Sequence, residues 1–250
     1  MSQRPVIIVT GGGRGIGAAT AKLAAARGYA VCLNYLQGRE PAEEVVRCVA
    51  TRGGQAIAIQ ADISSEADVV SLFRQVDSRL GRVSALVNNA ATLERQARLD
   101  SMEASRIERI LAVNVVGSMV CAREAVKRMS TRHGGPGGAI VNVSSGAAKY
   151  GSPGEYVDYA ASKGAIETFT AGLAREVAEE GIRVNAVRPG FIYTGLHAKG
   201  GEPERVERVK TLVPMQRGGQ PEEVANAILW LLSQEASYVT GTIIDVSGGR

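Results

Sequence analysis

PVIIVTGGGRGIG, residues 5–17, is the stretch on which the reading of this chain turns. Val6, Ile7, Ile8 and Val9 form an apolar, β-branched run without alternation, as in a strand buried on both faces. Glycines follow at 11, 12, 13, 15 and 17, and a helix-forming segment rich in alanine comes next. Glycine lets the backbone adopt positive φ and approach a ligand closely. A helix opening directly after such a loop presents free N–H groups and a positive dipole end, which suits a pyrophosphate. The spacing GxGxxG fails, because Ile16 falls where its third glycine belongs. GxxxGxG fits, at Gly11, Gly15 and Gly17, and no Gly-Lys-Ser/Thr follows to make a P-loop. Taken alone, such a loop is also just a tight β–α turn.

Its surroundings decide between the two. Strand-like runs recur at 5–10, 30–35, 55–61, 83–88, 138–144, 182–187 and 242–246. Helix-length segments lie between them at 15–28, 41–53, 65–80, 101–131, 157–180 and 221–233. Ser65 with Asp68 reads as a helix start, and so does Pro221 with Glu222 and Glu223. This alternation predicts an α/β fold in one domain over 1–250: a parallel sheet with helices on both faces. At the head of such a series the glycine loop reads as a nucleotide site. The one long connection, Pro189 to about Gln220, has the length of a lid or substrate wall, with the substrate loop expected at about 190–218.

Composition narrows the function. The chain has 250 residues, 45% of them hydrophobic and 22% charged, as expected of a globular domain with a full core. The net charge of +4 comes without a Lys/Arg run, and aromatics are only 4%, so nucleic acid is not an expected partner. No apolar stretch reaches membrane-spanning length and the N-terminus lacks a signal-peptide layout, so no membrane role and a cytoplasmic location are expected. Cys32, Cys48 and Cys121 form no CxxC pair, and His133 and His197 lie far apart, so no metal site is expected.

At the end of the second strand-like run stand Asn34 and Tyr35, where NAD-binding folds often place an acid on the ribose hydroxyls. Without that acid a 2′-phosphate is not repelled. Arg14 and Arg39 are candidates to pair with it, although Arg14 also reads as a solvated side chain. Together these features favour NADP(H) over NAD(H). Asp62, with the N–H of Ile63, is placed to hold an adenine amino group, or else to cap a turn. Asn89 and Ala90, in NNAA at 88–91, read as a ribose-passing segment or a turn.

The chemistry is sought in EYVDYAASKGA, residues 155–165. On a helix, Tyr159 and Lys163 share a face one turn apart, and an ammonium there would lower the tyrosine pKa toward neutrality for proton transfer. A surface pair is the bland alternative. Ser144 and Ser145 end the fifth strand, where α/β ligand sites form. Asn114 interrupts the apolar run ILAVNVVGSMVCA and must be hydrogen-bonded if buried, as a structural pin or as holder of a water behind Lys163.

TGGGRGIG, NNAA, Asn114, SS at 144–145, YAASK and RPGFIYT at 188–194, in this order and spacing, resemble the short-chain dehydrogenase/reductase family, classical branch. The resemblance spans essentially the whole chain. It implies a Rossmann-type, doubly wound parallel seven-stranded sheet in the order 3-2-1-4-5-6-7. It also implies Tyr159 as general acid/base, Lys163 on the nicotinamide ribose, Ser145 on the substrate oxygen and Asn114 in a water relay. Pro189, Gly190, Ile192 and Thr194 would embrace the nicotinamide and phosphates, with Tyr156 and Tyr150 on the pocket or its rim. A small-molecule carbonyl or alcohol is the implied substrate, and a homotetramer or homodimer the implied assembly. Ala91 and Ser247 depart from the family's usual Gly and Asp. An NADP(H)-binding regulator that has lost catalysis is the alternative on the same fold.

Overall fold

The computed structural model describes residues 4–250. Its strands are β1 (Val6–Val9), β2 (Ala30–Tyr35), β3 (Gln55–Gln60), β4 (Val83–Asn88), β5 (Gly138–Val143), β6 (Ile182–Pro189) and β7 (Ile243–Val246). They form one sheet in the order β3-β2-β1-β4-β5-β6-β7, and every neighbouring pair is parallel. The order is the one the resemblance implies.

The long helices are α1 (Gly15–Ala26), α2 (Arg39–Thr51), α3 (Glu66–Arg79), α4 (Ala104–Leu111), α5 (Ser118–Met129), α7 (Val157–Val177) and α10 (Pro221–Leu232). Three short ones are α6 (Ala147–Tyr150), α8 (Leu196–Lys199) and α9 (Arg205–Val209). Alternation within β1 explains the layering. Val6 and Ile8 join a core with Leu72 and Phe73 of α3, Cys121 of α5 and Val177 of α7. Ile7 and Val9 join the opposite core with Ala21 of α1, Val45 of α2 and Ile228 of α10. Both faces are covered, so the strands carry apolar residues almost throughout.

The single helix expected over 101–131 is the element that differs. A 3₁₀ turn occupies Leu99–Ser101, α4 begins at Ala104, and Ala112–Gly117 widens into a π-helical segment before α5. The cause is local: Asn114 is wholly buried and bonds sideways to other elements, while Gly117 presses on the Ile63 backbone so closely that an added Cβ would lie 2.7 Å from that carbonyl oxygen. Such widened turns concentrate at functional sites.

The chain leaves β1 toward β2 and β3 on one side, then returns to place β4 on the other. The loops after β1 and β4 therefore diverge, opening a crevice at the carboxyl edge of the sheet.

Candidate active site

The glycine loop is stitched across that crevice. Thr10 Oγ1 accepts the N–H groups of Asn89 and Ala90, each at 3.0 Å, and Asn89 Nδ2 donates to the carbonyls of Thr10 (2.8 Å) and Gly11 (3.2 Å). Gly11 and Gly15 have φ of +63° and +51°, the left-handed region. A Cβ on Gly17 would lie 2.4 Å from the Gly11 carbonyl oxygen, so only glycine lets α1 start this close to the loop. The N-termini of α3 and α10 carry side-chain caps and acids: Ser65 with Asp68, Gln220 with Glu223. The N-terminus of α1 has neither. Its free N–H groups and positive dipole end face the crevice unneutralised, an environment that fits an anionic nucleotide.

Around the nucleotide end, the predicted residues divide. The Asn34 side chain is buried and occupied: its Nδ2 donates to the Ala61 carbonyl at 2.8 Å and its Oδ1 accepts the Gly11 N–H at 3.4 Å, tying β2 to β3 and to the loop. Asp62 accepts the N–H (2.9 Å) and hydroxyl (2.7 Å) of Ser64, the turn-capping reading, and Ile63 beside it is buried. The Arg14 guanidinium lies over the turn after β2, where a Cβ added to Gly38 would sit 3.0 Å from it. Arg39 is exposed and pairs with Glu43 at 3.5 Å.

At the chemical end, α7 begins at Val157 and sets Tyr159 and Lys163 one turn apart, both buried. Lys163 Nζ donates to the Val143 carbonyl at 2.7 Å and lies 5.6 Å from the Tyr159 ring centroid. The expected lowering of the tyrosine pKa by this lysine is not what the geometry gives. Burial pushes Tyr159 up to about 12, and the relief comes from the Ser145 side chain. Burial also pulls Lys163 down to about 8. The ammonium sits over the ring and spends a hydrogen bond on β5, and burial dominates the shift of both groups.

The serine pair separates clearly. Ser144 is buried and donates to Glu167 Oε1 at 2.7 Å. Ser145 accepts the Ala147 N–H at 3.1 Å and stays beside Tyr159. Asn114 holds the Thr92 backbone on both sides, accepting its N–H at 2.8 Å and donating to its carbonyl at 3.1 Å, and donates to Ser162 Oγ at 3.0 Å. Ser162 in turn donates to the Tyr159 carbonyl at 2.7 Å. Asn114 is thus pinned behind α7.

A cavity of about 280 Å³ opens here. Ser145, Tyr159 and Lys163 line it, as do Ile16, Asn89, Pro189, Gly190, Ile192 and Thr194. Gly11, Arg14, Gly15, Gly17, Asn34, Asp62, Ile63, Ala90 and Asn114 lie outside that lining. Tyr156 is buried in the wall and donates to the Gly200 carbonyl at 3.2 Å, while Tyr150 is half-exposed at the rim. The sequence reading missed Arg205 and Arg250, which also line the cavity. Nothing in their local sequence signals it, because tertiary packing brings them in from the 190–218 connection and from the tail after β7.

Comparison with known proteins agrees with this geometry. The family description Enoyl-(Acyl carrier protein) reductase matches residues 11–250. The chain is 59% identical over 245 residues to the uncharacterized oxidoreductase YgfF of Escherichia coli, covering 98% of this chain and 99% of that one. The chain belongs to the short-chain dehydrogenase/reductase family. Another relative in this family is the 3-oxoacyl-[acyl-carrier-protein] reductase of Synechocystis, 37% identical over 98% of this chain and 96% of the relative. A solved short-chain dehydrogenase/reductase from Serratia marcescens superposes with a TM-score of 0.90 at 34% identity, covering 99% of this chain and 98% of that one. The protein is therefore an oxidoreductase acting on CH–OH or C=O, of a family that binds NAD(P). Among the described residues no helix is long and apolar enough to cross a membrane.

Proposed function

We propose that this short-chain dehydrogenase/reductase interconverts a carbonyl and a secondary alcohol, with NADP(H) favoured over NAD(H). The observation that carries the reading is the placing of Tyr159, Ser145 and Lys163 on one cavity wall at the carboxyl edge of β5. Gly11, Gly15, Gly17 and the uncapped start of α1 would hold the pyrophosphate, and Arg14 a 2′-phosphate. The coenzyme, when bound, supplies or takes up the hydride.

The chain's own residues handle the proton. Tyr159 gives its phenolic proton to the substrate oxygen in reduction, and its high pKa keeps it protonated for that task at neutral pH. In the reverse direction the same phenol must first ionise. Ser145 is placed to donate to the substrate oxygen and fix its position, because the Ser144 hydroxyl is already committed to Glu167. Lys163 brings the only cation that the α7 turn behind Tyr159 offers, and the Asn114–Ser162 contact holds that turn in place. Four copies would associate through the exposed apolar residues Leu111, Val116 and Met119, which run from the end of α4 through the π-helical segment into α5.

The test is Tyr159→Phe. Turnover should fall by about 10³-fold or more, while NADPH titration by fluorescence stays near the wild-type curve. Near-normal turnover in the variant sinks the assignment. Wild-type protein that binds NADPH but turns over no carbonyl in a broad panel would favour the regulator instead.

A further inference from the structure

Two arginines line the cavity, and they differ in status. Arg205 is neutralised: its Nη1 donates to Glu155 at 3.1 Å and to Glu202 at 2.8 Å. Glu155 is the one acidic side chain lining the cavity among the described residues, so Arg205 uses up the side-chain acid available there. Arg250 receives none. Its Nη1 is buried with no hydrogen-bond partner among the described residues. A buried charged donor without an acceptor is costly, and a native fold tolerates it mainly where a ligand completes it.

The guanidinium is held in place as well as left open. It lies 4.9 Å from the Phe191 ring centroid and 5.4 Å from that of Tyr150. The Arg250 carbonyl accepts the Ser247 hydroxyl at 2.6 Å, fixing the tail after β7. Aromatic rings cover a guanidinium over its faces, while its N–H groups point out in its plane. A planar oxyanion that can take two of them at once is the matching partner, and a carboxylate has that shape.

We propose that Arg250 sets substrate specificity and that the substrate is an oxo acid: its carboxylate is held by Arg250 while its carbonyl oxygen meets Tyr159 and Ser145. The carboxylate takes no part in the chemistry; hydride and proton add across the C=O bond, with NADPH as reductant. The assignment rests on the carbonyl–alcohol reading above.

The probes are 4-acetylbenzoate and methyl 4-acetylbenzoate, which differ only in the negative charge. Calorimetric titration into the coenzyme-free protein should give the acid about tenfold tighter binding or better. Arg250→Met should erase that preference, and Arg250→Lys, which keeps the charge but loses the fork, should fall between. Equal affinity for acid and ester in the wild type overturns the proposal. So does an equal loss for both probes in Arg250→Met. A fall in NADPH affinity in that variant would reassign the arginine to a coenzyme phosphate, and a changed mass by light scattering would reassign it to a contact between copies; either overturns the proposal. Turnover of both probes with NADPH is read in parallel. Acid-selective binding without turnover upholds Arg250 and counts against the carbonyl–alcohol reading, whereas equal binding and equal turnover does the reverse.

Discussion

Lys163 donates a 2.7 Å hydrogen bond to the carbonyl of Val143, the last residue of β5, and so ties the middle of α7 to the sheet edge where the cavity opens. The bond fixes the lysine but does not offset its burial, which pulls its pKa from the ordinary 10.5 to about 8. Between those values the folded protein holds fewer protons than the unfolded chain, so this group's contribution to stability rises with pH across the window. Below pH 8 its full cost is present. Tyr159 has the opposite sign: its pKa is raised to about 12, and its contribution falls as pH climbs from 10. Thermal melts of coenzyme-free wild type and Lys163→Met at pH 7, 8, 9 and 10 should therefore show the wild type gaining on the variant from pH 8 upward. A difference that stays flat would contradict the assigned pKa.

Gly17→Ala should disable coenzyme binding. The new methyl would sit 2.4 Å from the Gly11 carbonyl oxygen and 2.6 Å from Asn89 Nδ2, so the loop, the start of α1 or the Asn89 stitch must shift. Overpacking of this kind costs roughly 1–3 kcal/mol in stability. NADPH affinity should drop more than tenfold, because the displaced groups are those that shape the phosphate cradle. Calorimetry with NADPH and a thermal melt check both halves; unchanged affinity would mean that the cradle lies elsewhere.

Arg106 and Asp158 form an ion pair at 2.7 Å with side chains 11% and 1% exposed. Arg106 also donates to the Arg95 carbonyl at 2.6 Å, and Asp158 accepts the Tyr159 N–H at 2.8 Å. The pair thus connects the 92–98 wall to the first turn of α7. Arg106→Leu leaves Asp158 buried without its cation and should cost about 3–5 kcal/mol. Removing both partners, Arg106→Leu with Asp158→Leu, should recover a large part of that loss. Chemical denaturation of Arg106→Leu, Asp158→Leu and the double variant measures it, and strict additivity would mean that the pair is not coupled.

What the residues alone revealed follows from how locally each signal is written. Strand boundaries were legible to within about two residues because most strands are buried on both faces, and runs such as Val6–Val9 have no polar interruption to blur them. The juxtaposition of Tyr159 and Lys163 was legible from helical spacing, while their expected roles came from the resemblance to the family. The fate of Asn34 was not, because its amide is consumed by Ala61 from the neighbouring strand, a contact set by sheet register. Nor was the π-helical widening at Ala112–Gly117, which answers to Thr92 and Ser162 rather than to its own sequence. The sign of the Tyr159 shift depended on burial against attraction, and periodicity carries no information on that balance.

Arg14 should decide which coenzyme is preferred. No carboxylate ends β2; Tyr35 stands there, and Asn34 is turned inward. The Arg14 guanidinium rests over Gly38 in the turn that follows, with no side-chain hydrogen-bond partner among the described residues to hold it away from a ligand in the crevice. A guanidinium meets a phosphate with two parallel hydrogen bonds, a match that NAD(H) cannot use because it has no 2′-phosphate. Arg14→Ala should therefore weaken NADPH by about tenfold or more and leave NADH nearly unaffected. Tyr35→Asp should act from the other side, repelling the 2′-phosphate while offering the ribose hydroxyls an acceptor. The two substitutions combined should invert the preference. Titration of both coenzymes into the four proteins reads the result directly. An Arg14→Ala variant that loses NADH and NADPH equally would show that the arginine serves the pyrophosphate or the loop, and an unchanged NADPH affinity would pass the role to Arg39.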